Sequence, residues 1–160
     1  MYDVIMAVDE SISATGVAIF YGSELKETYE IKTSPKQDAL SRFDHIYEEL
    51  TAIADRHQVT VFVAEGVYES HTKKSILSFL YNRFIQGMLF AMHKARENSL
   101  YALYYPSEWR SILGISGNDS RRNSKAADIA FVKETLGIEV TSDNVADAVC
   151  IGLAYVKEWS

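Results

Sequence analysis

Residues 4–21 read VIMAVDESISATGVAIFY, and the fold class can be inferred by starting from this segment. It holds two short apolar runs, of which the first ends in the carboxylate of Asp9. A short apolar run is typical of a buried strand, so the sequence predicts one strand over residues 4–9 and a second over residues 15–21. The serine-containing turn between them and the glycine turn after them predict an antiparallel meander, with a third strand over residues 25–32.

Helices and strands alternate along the rest of the chain. A helix is predicted to begin at Ser34 and Pro35, with Ser34 as its N-cap. Further strands are predicted over residues 59–65 and 100–105, the second stopped by Pro106. Further helices are predicted over residues 73–97, about 123–136 and 143–159, with a loop through residues 113–120. This order predicts an α/β fold with a five-stranded mixed sheet, in which three antiparallel strands are extended by two parallel ones and flanked by helices. We expect residues 1–160 to form a single domain.

Composition excludes several classes of protein. With 48% hydrophobic and 24% charged residues in a chain of 160, a sizeable core can form. The single cysteine, Cys150, cannot form an internal disulfide or by itself build a zinc site. The start of the chain shows no basic, apolar leader, and no apolar run approaches the roughly 20 residues of a membrane span. We therefore expect a soluble, cytoplasmic protein that does not bind membranes.

The net charge of −6 is unevenly distributed along the chain. Residues 70–125 hold nine lysines and arginines against three acidic residues, whereas the segments on either side are acidic. A basic middle could present one positive face to a phosphate backbone, so the overall charge does not exclude DNA as a partner. The alternative is an ordinary protein surface with uneven charge.

Carboxylates stand at the places where a ligand would bind. Asp9 and Glu65 each end a predicted strand, and the carboxyl ends of neighbouring parallel strands would bring them side by side. Asp143 and Asp147 are four residues apart and share one face of the last helix, where Asp147 interrupts an apolar sequence. Carboxylate oxygens suit Mg²⁺ and Mn²⁺, and four of them could hold two ions about 3.5–4 Å apart for a phosphodiester displacement. Alternatively, the strand-end acids form turns and Asp143 caps its helix.

Three motifs carry a family resemblance. Residues 7–18 (AVDESISATGVA), 61–68 (VFVAEGVY) and 143–148 (DNVADA) resemble the motifs of RuvC-type Holliday junction resolvases, in the family order and across nearly the whole chain. The resemblance implies an RNase H-like fold, a homodimer, no nucleotide cofactor, and paired nicking of four-way DNA junctions with Mg²⁺ or Mn²⁺. The compact length resembles that of phage-encoded members.

The same resemblance assigns the catalytic and metal-binding roles. They fall on Asp9, Glu65, Asp143 and Asp147, with two ions in each active site. In bacterial RuvC the two C-terminal acids are three residues apart, which would place the first on Asn144. The spacing of four found here occurs in the mitochondrial and poxvirus branches, so the choice between Asp143 and Asn144 stays open.

DNA contacts are predicted in the basic middle of the chain. Tyr68 matches the aromatic position that in bacterial RuvC stacks near the junction centre; otherwise it is a surface or dimer-packing tyrosine. The predicted DNA-binding residues are Tyr68, Lys73, Lys74, Arg110, Arg121, Arg122 and Lys125. For the basic residues the alternative is a solvated charge run. The apolar stretch from Ile76 to Met92 is the predicted dimer interface.

Rival functions share parts of this pattern. An Asp-turn-Thr-Gly hairpin also opens actin- and hexokinase-like ATP-binding folds, but the chain has room for one copy and shows no second glycine-rich loop. A non-catalytic scaffold that binds branched DNA would be expected to have lost a core carboxylate. A broader RNase H-like nuclease that acts on forks, flaps or RNA–DNA hybrids cannot be separated from a dedicated resolvase by sequence.

Overall fold

The computed structural model describes residues 2–68, 73–115 and 121–159, and of residues 73–75 and 121–124 it describes the backbone only. Over these ranges, five strands form one sheet: β1 (Val4–Asp9), β2 (Ala14–Tyr21), β3 (Glu24–Lys32), β4 (Val61–Glu65) and β5 (Leu100–Tyr104). They lie in the order β3-β2-β1-β4-β5, with β1, β2 and β3 antiparallel and β4 and β5 added in parallel. The predicted mixed sheet is confirmed.

In the part of the chain that the structure describes, five helices flank the sheet: α1 (Ala39–His57), α2 (Lys73–Lys94), α3 (Pro106–Leu113), α4 (Arg121–Leu136) and α5 (Asp143–Trp159). Successive side chains of a strand point to opposite faces, and the core is divided accordingly. Ile5 and Ala7 of β1 face the buried side of α5, whereas Met6 and Val8 face α1 and α2. Within the described residues, no helix is both long and apolar enough to cross a lipid bilayer.

The first helix starts later than predicted. It begins at Ala39 and is capped by Asp38, whose Oδ1 accepts a hydrogen bond of 3.0 Å from the backbone N–H of Ser41. The prediction of Ser34 as the N-cap is wrong: Ser34 accepts a hydrogen bond from the N–H of Lys36 within a preceding turn. Both residues suit a cap, but only the aspartate lies directly before the apolar face of the helix.

A helix that the sequence pattern did not predict, α3, follows β5. We expected Pro106 only to stop the strand, yet it occupies the first turn of this helix, where its missing N–H costs nothing. The Glu108 side chain accepts a hydrogen bond of 2.7 Å from the N–H of Tyr105, which secures the start of the helix. Gly114 ends it in the left-handed conformation, at φ +73°. This helix carries Trp109 and Arg110 towards the carboxyl ends of β1 and β4.

Candidate active site

A polar cleft of about 380 Å³ opens at the carboxyl ends of β1 and β4, beside the start of α5. Among the described residues, its charged lining comes from four acidic and two basic side chains: Asp9, Glu10, Glu65, Asp147, Arg110 and Lys125. β1 and β4 run in register, with Val8 opposite Ala64, so the next residue of each strand brings Asp9 beside Glu65. Their predicted proximity is confirmed, since carboxylate oxygens of Asp9, Glu10 and Glu65 all lie within 4.8 Å of one another.

Asp147 reaches the cleft because α5 packs very closely on β2. A Cβ atom at Gly16 would lie 2.1 Å from the backbone oxygen of Asn144 and 2.8 Å from the nitrogen of Val145. Only glycine leaves room for this approach. The glycine of the opening motif therefore places the first turn of α5, with Asn144 and Asp147, against the sheet.

The turn that follows Asp9 is held by buried hydrogen bonds. Arg42 of α1, only 8% exposed, donates to Thr33 Oγ1 at 2.8 Å and to Ser13 Oγ at 3.2 Å. Thr15 Oγ1 donates to the carbonyl of Ser11 at 2.6 Å. These bonds fix both ends of the turn on which Glu10 lies.

Glu65 is held from three directions. Its Oε1 accepts a hydrogen bond of 3.0 Å from the indole N–H of the fully buried Trp109. Its backbone carbonyl accepts one of 3.1 Å from Gln86 of α2, and its backbone N–H donates to Glu10 Oε2 at 3.2 Å. The bond from Trp109 orients the carboxylate, and the other two fix the backbone that carries it.

The site concentrates negative charge in a poorly solvated place. Burial, followed by repulsion from Glu65, raises the pKa of both Asp9 and Glu10 well above the ordinary range. Burial also raises the pKa of Glu65, although hydrogen bonds from its neighbours oppose the shift. Burial and the adjacent Asp128 carboxylate raise the pKa of Asp147 to about 8. Buried like charges of this kind are stable only when protons or cations accompany them.

The two basic residues of the cleft already have partners. Arg110 donates from Nη2 to Oδ2 of the fully buried Asp128 at 2.8 Å, and its guanidinium lies 4.3 Å from the centre of the Trp109 ring. Lys125 pairs with Asp143. Among the described residues, Glu10 Oε1 and Asp147 Oδ1 are buried without a hydrogen-bond partner. A divalent cation would supply the compensation that these oxygens lack.

Asp143 and Asn144 are placed differently. Of the two, Asn144 lines the cleft, whereas the half-buried Asp143 accepts from Lys125. The alternative in which Asp143 caps α5 is not what the structure shows, because Ser142 Oγ accepts from the N–H of Val145 at 3.3 Å. A metal-binding role for either residue stays a prediction.

The predicted DNA-binding residues have different surroundings. Tyr68 is 57% exposed, with its ring centre 5.0 Å from that of Tyr105 and its hydroxyl 2.6 Å from Ser107 Oγ. Arg110 lines the cleft while paired with Asp128, and its role in DNA binding stays a prediction. The side chains of Lys73, Lys74, Arg121 and Arg122 lie outside the described residues, and their roles stay predictions.

Comparison with known proteins assigns the chain to a protein family. Residues 2–158 match a protein family described as "Lactococcus phage M3 protein". The chain belongs to this phage family. Among curated proteins, none matches it.

Solved structures similar to this phage family protein include Holliday junction resolvases from three sources. RuvC of Thermus thermophilus, solved in complex with Holliday junction substrate, has a TM-score of 0.78 at 18% identity, covering 98% of this chain and 94% of its own. The fowlpox virus resolvase has a TM-score of 0.60 at 17% identity over 97% of this chain and 99% of its own. The yeast mitochondrial resolvase Ydc2 has a TM-score of 0.66 at 13% identity over 98% and 80%. The predicted RuvC-like, RNase H-like fold is confirmed.

Proposed function

We propose that this phage family protein is a divalent-metal-dependent endonuclease that resolves four-way DNA junctions by paired nicking, with residues 1–160 acting as one nuclease domain. The observation that carries the proposal is the buried carboxylate cluster at the ends of β1 and β4, where Asp9, Glu10 and Glu65 oxygens lie within 4.8 Å of one another. The same fold occurs in resolvases, two of them solved with junction DNA. A fold alone does not fix a function, so the proposal depends on the site.

The donor set fits two Mg²⁺ or Mn²⁺ ions. Asp9, Glu65 and Asp147 would hold them, together with Asp143 or Asn144, through hard oxygen ligands. When bound, such ions stabilise the attacking and leaving oxygens of a phosphodiester displacement. The protein contributes fixed positions: the strand register sets Asp9 beside Glu65, and the packing at Gly16 brings the first turn of α5, with Asp147, to the lining of the same cleft.

Branched DNA would approach the open side of this cleft. Tyr68 offers an exposed ring close to Tyr105, the residue before α3, and an exposed aromatic face can stack on a base. Lys125 lines the cleft at the start of α4, where Arg121 and Arg122 precede it in sequence. Phosphate contacts from this segment would hold the DNA whatever its base sequence.

Two symmetric nicks require two active sites related by a two-fold axis, so we propose a homodimer. The exposed face of α2 supports it, since Leu77, Leu80 and Phe84 are each more than half exposed. Large apolar side chains at this density are unusual on a free surface. Sedimentation at concentrations that support cleavage would reveal a monomer if this part of the proposal is wrong.

The deciding experiment uses labelled four-way, three-way, duplex and RNA–DNA hybrid substrates in Mg²⁺ and in EDTA. We expect paired nicks in the four-way junction, and none in EDTA. Asp9→Asn should abolish cleavage and keep junction binding, because it removes one charge without changing shape. The matched control is Asp44→Asn, an exposed aspartate of α1. Wild-type cleavage by Asp9→Asn would contradict the proposal, and equal cleavage of all substrates would favour the broader nuclease.

A further inference from the structure

Of the three clustered carboxylates, Glu10 is the one that none of the predicted roles uses. It is 4% exposed and lines the cleft, and one of its side-chain oxygens lies within 4.8 Å of a carboxylate oxygen of Asp9 and of Glu65. Consecutive residues of a strand point to opposite faces, so Glu10 would be expected to turn away from Asp9. The strand ends at Asp9, however, and the turn after it returns the Glu10 side chain to the same cleft.

The two oxygens of Glu10 have different surroundings. Oε2 accepts a hydrogen bond of 3.2 Å from the backbone N–H of Glu65, which fixes the orientation of the carboxylate. Oε1 is buried and has no hydrogen-bond partner among the described residues. The nearby guanidinium of Arg83 is turned to Gln86, with Nη1 2.9 Å from its Oε1. A buried, oriented carboxylate oxygen beside two further carboxylates is a position for a cation.

We propose that Glu10 is a further direct ligand of the divalent ion, joining Asp9 and Glu65, so that consecutive residues at the end of β1 both bind metal. This inference rests on the proposed function, because it takes the cleft to be a metal site. Glu10 would add one negative charge to the ligand set and occupy a position that water would otherwise fill. Its backbone-held geometry would be ready before the ion arrives.

Metal binding, measured apart from cleavage, tests the proposal. Mn²⁺ is titrated calorimetrically into the wild-type protein and into Glu10→Gln, Asp9→Asn and Glu48→Gln, the last an exposed glutamate of α1 as control. The glutamine can still accept the hydrogen bond from Glu65, so only the charge is removed. We expect Glu10→Gln to raise the dissociation constant at least about tenfold, since even groups behind the ligands change affinity by about 10–100-fold. Glu48→Gln should bind as the wild type.

The outcomes separate the two proposals. If Asp9→Asn weakens Mn²⁺ binding while Glu10→Gln binds as the wild type, Glu10 is not a ligand and the metal site stands without it. If neither variant weakens binding, the proposed metal site itself is wrong, and this inference with it.

A measurement on the unaltered protein covers the case in which Glu10→Gln does not fold. In ¹³C-labelled wild-type protein, the carboxyl resonance of Glu10 should shift with those of Asp9 and Glu65 as Mg²⁺ is added, reaching saturation at the same concentration. The resonance of Glu48 serves as the reference that stays in place. A Glu10 resonance that does not move would overturn the inference.

Discussion

Replacing Gly16 by alanine should damage the candidate site through the backbone alone. The added Cβ atom would lie 2.1 Å from the carbonyl oxygen of Asn144 and 2.4 Å from its carbonyl carbon. Ordinary contact begins at 3.4 Å, so β2 and the start of α5 would have to separate by about 1.3 Å. Both contacting groups are backbone, so no change of rotamer can relieve the contact.

The separation should reduce activity more than stability. Overpacking of a tight core costs about 1–3 kcal/mol, so we expect the free energy of unfolding to fall by that amount. The same shift would carry Asn144 and Asp147 away from Asp9, and a misplacement of about 1 Å can cost roughly 10²-fold in rate. Gly16→Ala should therefore still fold, yet cleave junctions about a hundredfold more slowly.

The assay pairs urea unfolding with single-turnover cleavage of a four-way junction, at a temperature where every variant is folded. Ile53→Val serves as the control: this buried residue of α1 faces the opposite end of the sheet, where Val59 precedes β4. It should lose about 0.5–1.5 kcal/mol of stability and keep the wild-type rate. Wild-type stability and rate in Gly16→Ala would refute the close packing of α5 on β2 as the device that positions Asp147.

Three further predictions follow from the charges. The pKa of Asp147 is 3.8 in the unfolded chain and is raised to about 8 in the fold, so its contribution to stability is fully present below pH 3.8 and is gone once the pH has risen through 8. In EDTA the melting temperature should therefore fall as pH rises from 3.8 to about 8 and level off above it, and the fall should be smaller in Asp147→Asn. Asp128→Asn should lower the free energy of unfolding in urea by about 3–5 kcal/mol, because Arg110 would lose its buried partner. As a control, replacing the exposed Asp44 should lower it by less than about 0.5 kcal/mol. Replacing both Arg121 and Arg122 by alanine should weaken the salt dependence of junction binding. In a plot of log affinity against log salt concentration, measured in Ca²⁺, the slope should become shallower by roughly one to two units. If the slope and the affinity are both unchanged, this segment does not touch DNA.

Much of the site could be predicted because it is built from regular elements. Asp9 and Glu65 each end an apolar run. Neighbouring parallel strands have their carboxyl ends at the same edge of the sheet, so residues at these ends lie close together regardless of the segment that connects the strands. Asp147 could be picked out because a charge in an apolar helix requires a partner. Each of these inferences depends only on the spacing of apolar residues within one strand or helix, and that spacing can be read directly from the sequence.

The missed residues depend on contacts that no local pattern contains. Pro106 is equally suited to stopping a strand and to opening a helix, so α3, and with it Trp109 beside Glu65, was not predicted. Glu10 was missed because strand alternation is informative only within the strand, and this residue lies one position beyond it. Asp128 is on a helix of mixed composition, and its burial against Arg110 arises only when α3, α4 and α5 pack together.

The distribution of ion pairs explains how this cleft can be both acidic and stable. Arg110 is paired with Asp128 and Lys125 with Asp143, so within the described residues the charges of Asp9, Glu10, Glu65 and Asp147 have no cationic partner in contact. The pKa of each of these four groups is raised, so the metal-free cleft favours protonation of its carboxylates. A divalent ion and those protons would compete for the same oxygens, since metal ligands bind as carboxylates. Metal binding should therefore release protons and strengthen as pH rises, and the carboxylates that destabilise the metal-free fold are the same ones that the ion would use.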